Sequence, residues 1–359
     1  MSVLILWIAL ALPAAAWANA EKFLADLNAL PAAERHQKLL AGAKKEAELM
    51  LYSSTGLEEV RAITSLFKKK YPFINARFMR KGGSQLFNVA LMEFKGQKHI
   101  VDVYWAGIST LGPIVKQNRE MLARYLSPER AMIPQDYQDK EGYWTATRMS
   151  VAIFAYHSKL VPQNKVPKVF ADFLDPFWKG KLAVDTNPGR FISLLVERMG
   201  WKKAEEYLKN LARQELKLHR GRTARMQLIL AGEVLGSLDI NADNIIEMQF
   251  QSAPLEYAIM DPSLLSLTSV ALPQNPPHPH AATLFYDFIL SKEGQQELAR
   301  EKNVPVREDV ELVVKELGRR MKEARDRKKF VVDSPGNYDP AAEEKYDRLY
   351  IETLVKKVK

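Results

Sequence analysis

The sequence predicts an α/β fold because short apolar strands alternate with amphipathic helices along most of the chain. Two blocks of this alternation lie on either side of a longer strand-like run, Arg148 to Tyr156. A chain of 359 residues suits two compact lobes, since domains hold roughly 100–200 residues each. Its 47% hydrophobic and 26% charged residues are typical of a folded protein. We therefore expect two α/β lobes and no extensive disorder.

The first block begins with a polar helix at 32–48 and contains three strand-to-helix junctions rich in Ser, Thr and Gly. Each junction alone is explained by helix capping. Together they predict a cleft, because ligands of open α/β sheets bind outside the carboxyl ends of the strands. Helix N-termini at such an edge present unpaired N–H groups to an anion. The predicted strands are 49–52, 74–79 and 101–105, and the junctions are 53–56, 81–84 and 106–107.

The second block lies within residues 157–258. The chain then returns to the first lobe through short strands at 255–260 and 267–272 and a helix at 280–290. The second block is predicted to contain a short helix at 170–173, a strand ending at 184, a loop at 185–189, helices starting at 191 and at 220–223, a basic helix ending near 211, a strand at 234–240 and a helix after 241–244.

The balance of charges gives little support to a nucleic-acid partner. Lys and Arg number 52 against 43 Asp and Glu, which leaves a net charge of +9 and hints at an anionic partner. The densest basic stretch, Arg319 to Lys329, alternates with acidic residues as an exposed helix does, and it lacks aromatics for base stacking. The absence of cysteine excludes disulfides, thiolate metal sites, a catalytic cysteine and a lipid-modified N-terminal cysteine.

The N-terminus predicts secretion. Residues 3–12 are an apolar run, and Ala18-Asn19-Ala20 follows as a cleavage signal. The run is too short to span a bilayer, which needs about 20 residues in a helix. A buried N-terminal helix is the alternative. We expect residues 1–20 to be a signal peptide and the product to be a freely soluble periplasmic protein without stable membrane insertion.

Motifs of common enzymes are missing. The chain has six histidines, and the close pair His278 and His280 is separated by a proline, which indicates a turn rather than a helical metal site. No metalloprotease, nucleophile-elbow, phosphate-loop or dinucleotide-binding string occurs. We expect no catalytic residue, no resident metal and no cofactor.

Five stretches of the sequence resemble a known family, the extracellular solute-binding proteins of ABC importers, in the branch called ferric-iron type. They extend over about 49–310. The resemblance implies a type II periplasmic-binding-protein fold: two lobes, each a mixed, mostly parallel sheet flanked by helices, joined by hinge strands and closing on a ligand. It also implies delivery to an inner-membrane ABC permease, and we expect a monomer. The stretches are Leu51–Ser54, Gly82–Ser84, Val101–Gly107, Asp175–Lys181 and His278–Gly294, with Val304–Arg307 shortly after.

On this basis the mature chain divides into a first lobe at 21–150, a second lobe at 151–260, a return to the first lobe at 261–310 and a helical tail at 311–359 on the first lobe. The resemblance also implies ligand-binding positions. In the first lobe they are Ser53, Ser54, Ser84 and Trp105; Arg148 begins the first hinge strand; in the second lobe they are Thr186, Asn187, Gly189, Arg220, Arg222, Thr223, Asn241 and Asp243.

Two observations bear on the ligand. Arg148, Arg190, Arg220 and Arg222 fall on or beside cleft-facing loops, and arginine pairs carboxylates or phosphonates bidentately. We therefore expect a small organic anion. Ferric-binding members place two adjacent tyrosines after the strand that corresponds to 234–240, where this sequence has Ala242-Asp243.

Ferric iron with a synergistic anion remains the alternative. One carboxylate does not replace two phenolates as a ligand set for Fe³⁺. Iron would therefore need a tyrosine from elsewhere in the chain, with Tyr52, Tyr104 and Tyr143 as the candidates.

Overall fold

The structure is a computed structural model that describes residues 20–187 and 190–356. Its strands are β1 (Glu48–Ser53), β2 (Asn75–Arg80), β3 (Val103–Ala106), β4 (Leu122–Ala123), β5 (Thr145–His157), β6 (Leu182–Val184), β7 (Lys217–Leu218), β8 (Gly236–Asn241), β9 (Leu255–Ala258), β10 (Ser263–Pro273), β11 (Val304–Pro305) and β12 (Phe330–Asp333). Its α-helices are α1 (Ala20–Asn28), α2 (Ala32–Glu46), α3 (Leu57–Lys70), α4 (Gly83–Lys95), α5 (Ile108–Gln117), α6 (Phe191–Met199), α7 (Trp201–Ala212), α8 (Arg222–Leu230), α9 (Ala242–Phe250), α10 (Pro279–Leu290), α11 (Lys292–Arg300), α12 (Lys315–Asp326) and α13 (Pro340–Tyr350).

The predicted α/β class and two-block alternation are confirmed. Strands β1, β2 and β3 pair in parallel, and helices α3, α4 and α5 follow them in turn. Strands β6, β7 and β8 form a second parallel group. Between the two groups run β10 and β5, in the order β2-β1-β3-β10-β5-β8-β6-β7. The sheet is therefore mixed, with two parallel halves joined by long antiparallel strands.

Helix α3 shows why the first block folds as the sequence predicts. Val60, Ile63 and Phe67 recur at helical spacing and are fully buried. Glutamates occupy its first turn and lysines its last turn, which matches the helix dipole. The helix ends at Lys70, before Tyr71-Pro72.

The two joining strands are longer than the hydrophobic pattern indicated. The structure begins β5 at Thr145 and β10 at Ser263, before the expected starts at 148 and 267. Polar residues interrupt the apolar pattern at the strand ends, and hydrogen bonds to neighbouring strands allow these residues to be buried. Thr147 is fully buried, and its hydroxyl donates to the carbonyl of Thr268 at 3.0 Å.

The buried apolar residues form two hydrophobic cores. The first is centred on β1, β3, α3 and α10, with Leu51, Val103 and Phe285 fully buried, and it extends to Ile240 of β8 and Ile245 of α9 in the second half of the sheet. The second contains an aromatic cluster in which the Phe154 ring lies 4.9 Å from Phe173 and 5.3 Å from Trp178.

The two parts of the C-terminal segment pack on different cores. Leu317 and Met321 of α12 are buried in the first core, and the turn at Pro335–Asn337 packs on α5. The last helix differs from the expectation that it packs on the first lobe: Leu349, Tyr350 and Leu354 are buried in the second core, where α13 and the turn after it pack against α6 and α7. The apolar spacing predicts a buried helix face correctly, but such spacing carries no information about the surface that covers the face.

The expected signal peptide lies outside the described residues, except for Ala20, which begins α1. Among the residues that the structure describes, no helix has both the length and the apolar character needed to cross a membrane. The lobe boundaries at 150, 260 and 310 stay predictions.

Candidate ligand cleft

Parallel strands end together at two edges of the sheet. At the first edge β1, β2 and β3 end, and the loops 53–56, 80–84 and 106–107 lead into α3, α4 and α5. At the second edge β6, β7 and β8 end, and the segments 185–187, 219–223 and 241–243 follow them. We call these the first edge and the second edge. Both are carboxyl edges of the kind that holds ligands in open α/β sheets.

The two edges approach each other across β5. Arg148 Nε donates to Glu59 Oε1 at 2.6 Å, and Glu59 lies in the first turn of α3 at the first edge. Two residues along the same strand, Ser150 Oγ donates to Asp243 Oδ1 at 2.9 Å, and Asp243 lies in the first turn of α9 at the second edge. Residues two apart share one face of a strand. Residues 148–150 therefore link the first edge to the second edge.

Arg148 is already paired with a protein carboxylate. The side chains of Arg148 and Glu59 are 14% and 8% exposed. Burial raises the pKa of Glu59, although Arg148 acts to lower it. Burial acts to lower the pKa of Arg148, but the carboxylates of Glu59 and Asp243 outweigh it and the pKa is raised. The guanidinium thus stays charged and links β5 to the first edge.

Two of the predicted first-lobe residues are buried. Ser53 is 0% exposed, and its hydroxyl donates to the Trp105 carbonyl at 2.9 Å and accepts from the Thr55 N–H at 3.1 Å. Trp105 is also 0% exposed, and its indole N–H donates to Thr147 Oγ1 at 3.0 Å. In this conformation both side chains hold strand ends in place, and neither presents a surface to a ligand.

The other two first-lobe residues lie at the surface of the edge. Ser54 is half-buried, and its hydroxyl accepts from the Gly107 N–H at 3.1 Å, which ties the loop after β1 to the loop after β3. Ser84 is exposed in the first turn of α4. The structure thus brings Ser54 and Ser84 to one edge, as predicted for a shared site.

Asp185 organises the second edge, and the sequence analysis did not single it out. Its Oδ2 accepts from the Gly221 N–H at 3.0 Å and from Arg225 Nη2 at 3.1 Å, while Oδ1 accepts from the Asn187 N–H at 3.0 Å. It therefore joins the segment after β6 to the start of α8. Its position directly after a strand and before Thr186-Asn187 is the sequence feature that could have identified Asp185 as a residue of this edge.

Arg225 is the buried partner of Asp185. It is 1% exposed, and its guanidinium also donates to Ser237 Oγ at 2.9 Å and to the carbonyls of Leu238 and Asp239. Burial lowers the pKa of Arg225, and the nearby Asp239 and Asp185 carboxylates act against this lowering. The ion pair thereby connects β6, α8 and β8.

The remaining predicted residues of the second lobe lie at the second edge, apart from Gly189, which is outside the described residues. Arg220, Arg222 and Thr223 are exposed at the start of α8. Asn187 is exposed as well. The half-buried members are Thr186, Asn241 and Asp243.

The four arginines expected at the cleft fall into two classes. Arg148 pairs with Glu59, and Arg190 pairs with Asp333 at 2.7 Å and with Glu343. Within the described ranges, Arg220 and Arg222 form no ion pair with a carboxylate. The expectation of four available arginines is therefore reduced to two, because distant carboxylates of α3 and of the C-terminal segment occupy the others.

The three tyrosines considered for iron are engaged elsewhere. The Tyr52 hydroxyl donates to both carboxylate oxygens of Glu93 at 2.8 and 2.9 Å, and Tyr104 packs beside it at a ring distance of 6.3 Å. Glu93 lies ten residues after the first residue of α4, roughly 15 Å along the helix from the first edge. The Arg119 guanidinium carbon lies 4.9 Å from the centre of the Tyr143 ring. In the parts of the chain described, no cluster of three or more His, Asp or Glu is arranged to hold a metal ion.

Comparison with protein families gives a match over most of the chain. Residues 110–328 match the bacterial extracellular solute-binding proteins. The match covers more than half of the chain, so the family is established. It is a family of binding proteins rather than of enzymes.

A curated relative is the Fe(3+)-binding periplasmic protein of Serratia marcescens, which is 24% identical over 236 residues, 61% of this chain and 67% of the relative. Iron-bound HitA from Pseudomonas aeruginosa has a TM-score of 0.66 at 22% identity and covers 75% of this chain and 89% of its own. A substrate binding protein of an ABC transporter from Agrobacterium tumefaciens has a TM-score of 0.70 at 17% identity, covering 87% and 96%. AfuA from Actinobacillus pleuropneumoniae, with fructose-6-phosphate bound, has a TM-score of 0.65 at 20% identity, covering 87% and 98%.

These structures have the two-lobed fold that the paired edges and long joining strands form here. The chain therefore belongs to the bacterial extracellular solute-binding proteins, and it has the two-lobed type II fold of its structural neighbours.

Proposed function

We propose that the protein captures a small organic anion, a carboxylate or a phosphonate, between the first and second edges and delivers it to an ABC permease in the inner membrane. The observation that carries the proposal is the pair Arg220 and Arg222, which is exposed at the start of α8 and forms no salt bridge among the described residues, although Arg222 acts to lower the pKa of the nearby Asp239. A guanidinium pairs carboxylate or phosphonate oxygens bidentately. The N-terminus of α8 adds a partial positive charge at the same place.

Uncharged groups at both edges supply the other contacts in this proposal. Ser54 and Ser84 at the first edge, and Thr186, Asn187 and Thr223 at the second, carry hydroxyl or amide groups at the cleft. Asn241 and Asp243 stand at the start of α9. The hydroxyl and amide donors orient an anion that the arginines attract, whereas the Asp243 carboxylate accepts from Ser150 and is not one of these donors.

Closure of the lobes follows from binding to both edges. A ligand shifts a conformational equilibrium only by its difference in affinity for the two states. An anion that contacts the arginines of the second edge and the hydroxyls of the first edge is bound more strongly when the edges approach. The permease then recognises the closed form.

Ferric iron with a synergistic anion is the second candidate, and the similarity to Fe³⁺-binding relatives favours it. Against it stands Ala242-Asp243, where iron-binding members of the family have two tyrosines. In this reading Arg220 and Arg222 bind the synergistic anion, and the iron needs phenolate ligands that Tyr52, Tyr104 and Tyr143 do not bring to the cleft in this conformation.

Thermal unfolding of the protein with organic anions, phosphonates, and Fe³⁺ with and without carbonate tests the proposal. A ligand at 100 times its dissociation constant adds about 2.7 kcal/mol to the free energy of unfolding. We expect a carboxylate or phosphonate to raise the melting temperature of the wild type, and Arg222→Ala to abolish the shift. Arg213→Ala is the matched control, because Arg213 is exposed at the far end of α7. Stabilisation by iron alone, with a tyrosinate charge-transfer colour, would contradict the proposal and support the second candidate.

A further inference from the structure

The first edge carries its own cations, which neither the sequence analysis nor the comparisons single out. We propose that the ligand is doubly anionic, with one anionic group bound by Arg220 and Arg222 and a second bound by Arg80 and Lys81. This inference rests on the proposed function and narrows its ligand class to small organic dianions, such as a dicarboxylate or a phosphonate that also carries a carboxylate.

Arg80 is placed over the first edge by a hydrogen bond. It is the last residue of β2, and its Nε donates to the carbonyl of Thr55 at 2.6 Å. Thr55 lies in the loop between β1 and α3, directly before Gly56, the N-cap of α3. The guanidinium therefore lies at the carboxyl end of the neighbouring strand β1, at the first edge.

Arg80 keeps most of its donors free for a ligand. Its bond to Thr55 uses Nε, and within the described part of the chain the terminal nitrogens have no carboxylate partner. Arg77, on the same strand, is different: its Nη2 lies 3.1 Å from Glu48 Oε2. One arginine of β2 is thus neutralised away from the cleft, and the other is available beside it.

Lys81 adds a second charge at the same place. Its backbone N–H donates to the Ser53 carbonyl at 3.2 Å, which extends the pairing of β2 with β1 by one residue beyond the strand. The side chain is half-buried, and no ion pair of Lys81 occurs in residues 20–187 or 190–356. Gly82 and Gly83 follow and open α4, so the cation is next to a helix N-terminus.

Cations at both edges select for charge at both ends of a ligand. A ligand with one anionic group neutralises one edge and leaves the other positive when the lobes close. A dianion neutralises both, so it gains more from closure than a monoanion does. Because the shift of the equilibrium equals the difference in affinity for the closed and open states, the second charge acts mainly through closure.

Isothermal titration calorimetry with matched pairs of probes tests this inference. The probes are malonate, succinate, glutarate and phosphonoacetate, each with the monoamide that replaces one carboxylate by an uncharged group of similar size. We expect at least one diacid to bind, and its monoamide to bind about 10- to 100-fold more weakly, as the loss of one charged hydrogen-bonding partner predicts.

Four variants separate the two edges. Arg80→Gln should reduce the affinity for the diacid to that for the monoamide, whereas Arg80→Lys keeps the charge and should keep the preference. Arg77→Gln is the matched control on the same strand and should bind like the wild type. Arg222→Gln should weaken the diacid and the monoamide alike.

The outcomes distinguish the inference from the proposed function. If the monoamide binds as tightly as its diacid and Arg80→Gln changes nothing, while Arg222→Gln abolishes both, the dianion inference is wrong and the proposed anion site stands. If no anionic probe binds and Fe³⁺ does, both are wrong.

Discussion

At the first edge the strand ends are tied to one another by uncharged hydrogen bonds, whereas at the second edge they are tied by a buried ion pair. Ser53 and Ser54 tie the ends of β1 and β3 together through hydroxyl and backbone groups. Asp185 and Arg225 tie the ends of β6 and β8 to the start of α8. The two halves of one cleft thus reach similar geometry by different chemistry.

This difference makes the connection between strand ends sensitive to charge at the second edge, whereas at the first edge the ion pair of Arg148 and Glu59 links the edge to β5. A hydroxyl bonded to a carbonyl keeps its strength as pH and salt change. A buried ion pair becomes costly when one partner is lost, because the other charge stays in the interior without compensation. Arg220 and Arg222 stand on the helix that this pair positions, so anion binding is expected to depend on it.

The largest effect is expected from Asp185→Ala. The substitution leaves Arg225 buried without its carboxylate and frees the start of α8, so the free energy of unfolding should fall by about 3–5 kcal/mol. Chemical denaturation measures it. The control Glu205→Ala removes an exposed carboxylate that pairs with Lys209 on α7 and should stay within about ±0.5 kcal/mol. A loss below about 1 kcal/mol for Asp185→Ala would mean that the ion pair does not hold the edge.

Ser53→Ala should cost less, about 1–3 kcal/mol, because the Thr55 N–H loses its buried acceptor and the Trp105 carbonyl loses a donor. Ser84 at the same edge is exposed, and we expect Ser84→Ala to cause no measurable change in the free energy of unfolding. Equal losses for the two serines would contradict the assignment of Ser53 to the scaffold of the edge. Both values come from denaturant titrations at one pH.

Tyr350→Phe tests the contact of the C-terminal segment with the second edge. The Tyr350 hydroxyl donates to the Asp185 carbonyl at 2.7 Å, and its removal should cost about 0.5–1.5 kcal/mol. Tyr346→Phe is the control, because the Tyr346 ring stacks on Trp201 at 6.0 Å and that stacking survives the change. If both variants lose the same stability, the hydrogen bond to Asp185 contributes nothing.

We expect the smallest change in the free energy of unfolding for Asp239→Asn, and this change is an increase at neutral pH. Burial raises the pKa of Asp239 above 3.8, with Arg222 and Arg225 acting against it. A carboxyl whose pKa is raised by folding binds its proton more tightly in the folded state than in the unfolded state. Its contribution to the free energy of unfolding is therefore greatest below pH 3.8 and is lost as pH rises through the raised pKa. The asparagine variant should therefore be more stable than the wild type at neutral pH.

This advantage of Asp239→Asn should vanish in acid, and Asn tolerates the positive φ of 54° at this position. Thermal unfolding as a function of pH measures the difference between the variant and the wild type. The substitution also removes a carboxylate that competes for Arg222, so the affinity for an anion should rise. A variant that is less stable at neutral pH would show that the arginines outweigh burial.

The sequence was sufficient for elements whose causes are local. Strands β1, β2 and β3 and the serine- and glycine-rich junctions after them follow from apolar alternation and capping chemistry, and they lie within two residues of the predicted positions. The order of the predicted strands and helices also indicated that the chain returns to the first parallel group, where β10 pairs with β3.

Ionic partners were not predictable, because they are far apart in the chain. Arg148 pairs with Glu59, and Arg190 pairs with Asp333 and Glu343. These sequence separations are far longer than the helix and strand periodicities that a sequence pattern can indicate. The same reason explains the misplaced C-terminal helix. A pattern indicates which face of a helix is apolar, and only the folded chain decides which surface meets it.

Small-angle X-ray scattering with and without a saturating anion tests whether the two edges close on an anion held by Arg220 and Arg222. We expect the radius of gyration of the wild type to decrease on binding, and the Arg220→Gln/Arg222→Gln variant, folded by circular dichroism, to show no decrease. An equal decrease in the double variant, or a decrease with Fe³⁺ and with no anion, would contradict this expectation.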